Sequence, residues 1–218
     1  MVRQPRSEVT RRKIINAAVE LYDEVGYPST GLGDIIERVD VTKGALYHHF
    51  DSKESLAFAI IDEAAYQLGD ALRRASQSSS ALEGLILGGF AAAELAGSEK
   101  LVRTGGHLLF TFAKFNESVA GYYRAWLAGT VARVRLAQSE GDIRSALDAE
   151  VVGGVILSTL IGAEVISNSL SGGRDLVVRV NHAWETLLPT IVPEESLSYF
   201  RQFLARQSSR LQPATPAD

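Results

Sequence analysis

The sequence predicts an all-α protein. Three observations carry that reading. Apolar residues recur at helical spacing along nearly the whole chain, as in Ile14, Ile15, Ala18, Leu21, Tyr22 and Val25. Strand-type alternation is scarce, and no series of short β runs punctuated by Gly and Pro appears. The composition, 46% hydrophobic and 22% charged over 218 residues, suits a soluble chain with a buried core.

The elements follow in order. The first helix ends at Val25, because Gly26 is placed as a C′ glycine and the turn "YPSTG" follows. "LGDIIERV" makes a short second helix with Leu32, Ile35, Ile36 and Val39 inward. "DVT" breaks it, and "KGALYHHF" makes a third. "DSKE" reads as a capping box, Asp51 at the N-cap and Glu54 at N3, opening a long fourth helix that runs to about residue 74. A polar junction near residues 73–80 separates it from helices expected over 81–97, 100–113, 118–139, 148–170, 175–190 and 194–207. The breaks between them are "AGSEK", "KFNES", "SEGDIRSALD", "SGGRD" and "VPEE". The tail, 208–218, reads as disordered.

Several function classes are excluded or weakened. With no cysteine there are no disulfides, cysteine nucleophiles or thiolate metal sites. The N-terminus has no apolar core of a secretory signal. The most apolar window, 151–163, is closed by Glu150 and Glu164 and is short of the roughly 20 residues of a membrane span, so no membrane is expected as a partner. His48 and His49 are adjacent and diverge by about 100° on a helix, so they do not ligate one metal together. HExxH, G-x-S-x-G and Walker patterns are absent. No enzyme activity, metal or cofactor is expected. A helical hydrolase and a structural adaptor are the alternatives from other classes.

The short second and third helices, joined by a tight turn, suggest a helix-turn-helix. A helical wheel tests it. Lys43, Gly44, Tyr47 and His48 fall on one side; Ala45, Leu46, His49 and Phe50 fall on the other. Leu46 and Phe50 form an apolar i, i+4 pair suited to anchoring, while Gly44 and Ala45 are small enough to let a groove come close. Residues 1–53 carry eight basic and eight acidic side chains, but Arg3, Arg6, Arg11, Arg12 and Lys13 crowd the first thirteen, opposed only by Glu8. Lys43 and Lys53 bracket the third helix. Gripping phosphates needs local positive charge of this kind, not a basic average, and the net charge here is −4. A solvated basic terminus is the plain alternative.

"GYPSTGLGDIIERVDVTKGALYHHFDSKESLAFAII" resembles the DNA-binding motif of the tetracycline-repressor (TetR) family of bacterial transcription regulators, over roughly residues 8–61. The resemblance implies an all-α homodimer. Its parts would be a three-helix helix-turn-helix domain over 1–52 and a larger ligand-binding and dimerisation domain over 53–207. Double-stranded operator DNA is the implied partner, with Lys43, Gly44, Ala45 and His48 at the groove. Tyr47, His49, Lys53, Arg11 and Arg12 would then reach phosphates, and Arg3 and Arg6 lie along the minor groove. The wheel turns His49 inward, so its role stays open. Three positions depart from the family pattern. Asp40 stands where Gly is usual, and Gly31 and Gly33 replace hydroxyl residues.

The C-terminal part is similar to the γ-butyrolactone receptors of actinomycetes, in "YYRAWLAGTVARVRLAQSEGD", in the apolar helix ending near Leu170, and in "RVNHAWETLLPTIVP". The resemblance implies that Trp126 packs on a small, mostly apolar signal of γ-butyrolactone, butenolide or furan type. The residues agree in kind. His107, Phe110, Tyr122, Tyr123 and Trp126 concentrate within twenty positions, with Thr130 and Thr159 as polar candidates, although core filling is the alternative for any single aromatic. A regulator of efflux or metabolism with an unrelated hydrophobic effector is the second reading. Helices near 148–170 and 175–190 are expected to pair across a two-fold axis, because small residues such as Gly153, Gly154, Gly162 and Ala163 permit close packing.

Overall fold

In a computed structural model the described residues are 6–77 and 80–211, and they form ten helices and no strand. These are α1 (Arg6–Val25), α2 (Leu32–Val39), α3 (Lys43–His49), α4 (Lys53–Ala75), α5 (Ala81–Ser98), α6 (Lys100–Phe112), α7 (Glu117–Glu140), α8 (Ala149–Ser171), α9 (Leu176–Ile191) and α10 (Glu194–Leu211). The all-α expectation holds, and most bounds fall within two residues of those read from periodicity and breaks.

Local chemistry explains the ends. Gly26 takes the left-handed conformation, φ +84°, and its N–H donates to the Tyr22 carbonyl, which closes α1. Thr42 caps α3 by accepting from the Ala45 N–H at 3.1 Å. The box that opens α4 lies one residue later than the sequence suggested. The Ser52 N–H donates to Ser55 Oγ at 3.1 Å and the Ser55 N–H to Ser52 Oγ at 3.0 Å. Asp51 and Glu54 are therefore not the capping pair; "SKES" offers two short hydroxyls at the required spacing. Asp148 caps α8 by accepting from Glu150 and Val151.

The chain divides into two compact units, and they do not part at residue 53. One gathers the chain up to Gln67 with Glu99–Ala120; the other gathers Leu68–Ser98 with the chain from Gly121 on. The start of α4 belongs with α1–α3 because Leu56, Ala57, Ile60 and Ile61 are all buried there. The segment around α6 joins them through three features. Lys100 pairs with Glu20 at 2.5 Å and Arg103 with Asp23 at 3.2 Å. Gly105 lies so close to α4 that a Cβ would sit 2.3 Å from Ala64 Cβ. The Phe112 ring stands edge-on to Tyr27 at 5.3 Å and to Phe58 at 5.2 Å.

In the second unit Trp184 of α9 is fully buried, and a Cβ on Gly89 of α5 would lie 3.1 Å from its Nε1. Arg144, in the turn between α7 and α8, donates to the carbonyls of Val192 and Pro189 at 3.0 Å each, satisfying the open end of α9. The stretch assigned to a disordered tail is helical as far as Leu211, since the α10 face that buries Phe200, Phe203 and Leu204 continues to Ser208. Residues 212–218 lie outside the described residues. The apolar window 151–163 lies in the first two thirds of a longer helix, α8. By length and composition alone, α5 and α8 would each suffice to cross a membrane. Each also makes a close helix contact, Gly89 on Trp184 and Gly153 on Val131.

Gly105→Ala should destabilise the fold by about 1–3 kcal/mol, because its methyl would overlap Ala64. Gly129→Ala, where a Cβ meets nothing within 4 Å, should instead gain up to about 1 kcal/mol from helix propensity. Urea unfolding of the two variants checks the contrast.

Candidate functional site

The first candidate surface is built on α3. Leu46 is 0% exposed and Phe50 4%, whereas Tyr47 is 43% exposed. Lys43, Gly44 and His48 are exposed as well, and Ala45 and His49 are half-buried. The helical wheel therefore reads both faces correctly. His49 lies between them: its ring is edge-on to His48 at 5.2 Å and tilted against Phe50 at 6.4 Å.

The basic residues around α3 are positioned by aromatic faces. The Arg11 guanidinium lies 5.5 Å from the Phe50 ring centre, tying α1 to the end of α3. Lys53 Nζ lies 4.2 Å from the Tyr27 ring centre and donates to the Pro28 carbonyl at 3.4 Å. Lys43 Nζ is 5.8 Å from the Tyr47 ring centre. Arg12 is exposed on α1. Arg3 lies outside the described residues, as does the side chain of Arg6. Burial and the neighbouring Glu54 carboxylate push the Tyr27 phenol up to about 12, so it stays protonated beneath Lys53.

Two of the three departures from the family pattern, Asp40 and Gly31, have structural answers. Asp40 adopts φ 52°, ψ 51° at the end of α2, the conformation glycine usually supplies, and its N–H donates to the Ile36 carbonyl. Gly31 stands at the N-cap of α2, where it has no side chain to cap with; Asp34 Oδ2 instead accepts from the Gly31 N–H at 2.7 Å. Arg38 braces α2 on Glu24 of α1 at 2.9 Å, a pairing fourteen residues apart that periodicity does not reveal.

The second candidate surface is aromatic. Trp126 lies 5.7 Å from Tyr123, edge-on, and 6.3 Å from Tyr122, and all three are half-buried. Thr130 sits one turn on, its hydroxyl donating back to the Trp126 carbonyl at 2.9 Å, and Thr159 is half-buried on α8. These five share the second compact unit. His107 and Phe110 belong to the first, where both are exposed, Phe110 to 61%. No group of three or more histidines and acids among the described residues could hold a metal ion.

Comparison with known proteins follows the same division of the chain. Residues 14–60 match the model of bacterial regulatory proteins, tetR family, and residues 79–193 match that of the tetracyclin repressor-like C-terminal domain. The A-factor receptor protein of Streptomyces griseus is 31% identical over 198 residues, 88% of this chain and 67% of that protein. A gamma-butyrolactone receptor described as ArpA-like superposes with a TM-score of 0.77 at 26% identity, covering 94% of this chain and 99% of that one. CprB from Streptomyces coelicolor, solved with its biological operator sequence, superposes with a TM-score of 0.74 at 28% identity, over 94% of this chain and 99% of that one.

The left-handed Asp40 gives a simple expectation. Asp40→Gly should stabilise the fold by up to about 1 kcal/mol, and Asp40→Val should cost about 1–2 kcal/mol, as read by chemical unfolding.

Proposed function

The chain belongs to the tetR family of bacterial regulatory proteins, and from this premise we propose that it is a DNA-binding transcriptional repressor that releases its operator when a small effector binds. The observation that carries the reading is the outward face of α3. Lys43, Gly44, Tyr47 and His48 are exposed together on a helix whose other face is pinned by Leu46 and Phe50. The burial of Leu46 and Phe50 turns these four residues outward, and a lysine, a tyrosine and a histidine beside a glycine make that face polar and closely approachable. A major groove accepts such a helix, and the small residues Gly44 and Ala45 let it approach. Tyr47, His49, Arg11, Arg12 and Lys53 hold phosphates on either side, with Arg11 and Lys53 pre-positioned by Phe50 and Tyr27. Arg3 and Arg6 follow the adjacent minor groove. That CprB has been solved with its operator supports the reading.

The protein acts as a homodimer in the cytoplasm, where its operator DNA lies, and each recognition helix reads one half-site of a pseudo-palindrome. The interface is the face of α8 and α9 that exposes Val151, Val155, Ile166, Leu170 and Val178, an apolar stripe unusual for solvent. The effector is γ-butyrolactone-like, apolar in the main, and binds beside Trp126, in keeping with what the A-factor and gamma-butyrolactone receptors are named for. His107 and Phe110 remain candidates for its other end. A coupling of about 1–3 kcal/mol between the two sites would weaken operator binding roughly 5- to 150-fold. Two helices are available to carry it, since α4 and α7 each begin in the first compact unit and end in the second.

The double variant Lys43→Ala, Tyr47→Phe should bind operator DNA at least about tenfold more weakly in a gel shift. Unchanged affinity in a folded variant ends the groove assignment. For the effector site, the ratio of operator Kd with and without a γ-butyrolactone bearing an alkyl chain should fall towards one in Trp126→Ala. A full wild-type response in that variant removes Trp126 from the site.

A further inference from the structure

The register of α7 and α8 is set by two contacts. Arg135 pairs with Glu150, and a Cβ on Gly153 would lie 2.7 Å from Val131 Cγ2. The two helices therefore run antiparallel. Continuing the same register towards the start of α7 brings Glu164 level with the turns that hold Tyr123.

Burial changes at this level on both helices. The inward stripe of α7 is buried at Val131, Val134 and Ala137 but only half-buried at Tyr123, Trp126 and Thr130. The inward stripe of α8 is buried at Gly153, Ile156 and Ser167 but only half-buried at Leu160 and Glu164 between them. The two inward faces are thus less buried at matching heights than they are on either side. Glu164 does not share the outward stripe of Val155, Ile166 and Leu170. No cation or hydrogen-bond donor among the described residues is paired with it, unlike Glu150, which Arg135 neutralises.

We infer that Glu164 is the polar anchor of the effector site, and that the effector presents a hydrogen-bond donor, a hydroxyl or amine, to this carboxylate while its apolar body lies against Trp126 and Tyr123. The inference rests on the effector-site reading given above. Its physical basis is the cost of leaving a carboxylate poorly solvated among rings. A ligand donor that reaches it forms a charge-assisted hydrogen bond, about twice as strong as a neutral one. A ligand with acceptors only would oppose oxygen to oxygen and gain nothing. The electrostatics agree: burial pushes the Glu164 carboxyl up, and burial together with the Glu164 charge pushes the Tyr123 phenol up to about 12.

The test titrates the full-length protein with 1-decanol and with decyl methyl ether, following tryptophan fluorescence. The ether carries the extra methyl, so apolar burial alone favours it. Wild type should bind the alcohol about tenfold more tightly, and Glu164→Leu should bring that preference to about one. Glu164→Gln, which keeps the shape and an acceptor, should show an intermediate preference, and it serves if the leucine variant fails to fold. Equal binding of the two probes by wild type overturns the role of Glu164 and leaves the Trp126 site standing. So does an undiminished preference in Glu164→Leu. Binding of neither probe removes the effector-site reading, and this inference with it.

Discussion

A helix of seven residues does not hold itself together in water, where even good sequences need about 12–15. The existence of α3 therefore depends on the burial of Leu46 and Phe50, with the Thr42 cap fixing where it starts. That one constraint decides the rest of the candidate interface. Once the i, i+4 pair is inward, Lys43, Gly44, Tyr47 and His48 have nowhere to point but out. Phe50 then does a second job, because its ring face receives Arg11 and so orients the basic end of α1 relative to α3. Loosening the anchor would scatter the cations along with the helix.

The same economy appears around Tyr27. Its ring supports Lys53 on one side and meets Tyr22 and Phe112 on others, so the loop after α1, the start of α4 and the end of α6 share one aromatic cluster. Edge-on aromatic pairs of this kind add about 0.5–1.5 kcal/mol each beyond area burial. Together with Gly105 against Ala64, they explain why α6 belongs to the compact unit of α1–α3 although some fifty residues separate them.

Much of this was legible in the sequence, and what was not has physical reasons. The wheel placed the faces of α3 because a period of 3.6 is local information. Asp40 was legible only as a departure from the family's usual Gly, and its left-handed backbone accounts for that preference, because few residues besides Gly accept the conformation. The capping box was misplaced by one residue because Asp51 and Glu54 look like better cap residues than Ser52 and Ser55. Cap geometry depends on where the fourth helix begins, which packing sets. The boundary at residue 53 missed the role of α6 because Lys100–Glu20 and Arg103–Asp23 each join residues eighty apart, and no periodicity records such pairs. In the aromatic group, sequence proximity gathered His107 and Phe110 with Trp126, although they belong to different units. On the proposed reading it passed over Glu164, whose only signal was to be an acid closing an apolar run.

A ligand can shift an equilibrium only by its differential affinity for the two states. Trp126 alone offers apolar contact, which changes little if the rings move by a fraction of an ångström. A hydrogen bond to a desolvated carboxylate is far steeper in distance and angle. On the proposed reading, Glu164 on α8 and Tyr123 on α7 are thus held to one separation when a donor bridges them, and to another when it does not. Tyr123 lies only one turn beyond the point, at Ala120, where α7 leaves the first compact unit. Upstream along the chain, Asn116 caps the helix by accepting from the Val119 N–H at 3.0 Å, and Phe112 leads into the cluster that holds Tyr27 and Lys53. Along the covalent chain, Tyr123 is thus only a few turns from Asn116 and Phe112. On the proposed reading, the polar end of the effector, not its apolar bulk, is the part with the leverage to move α7.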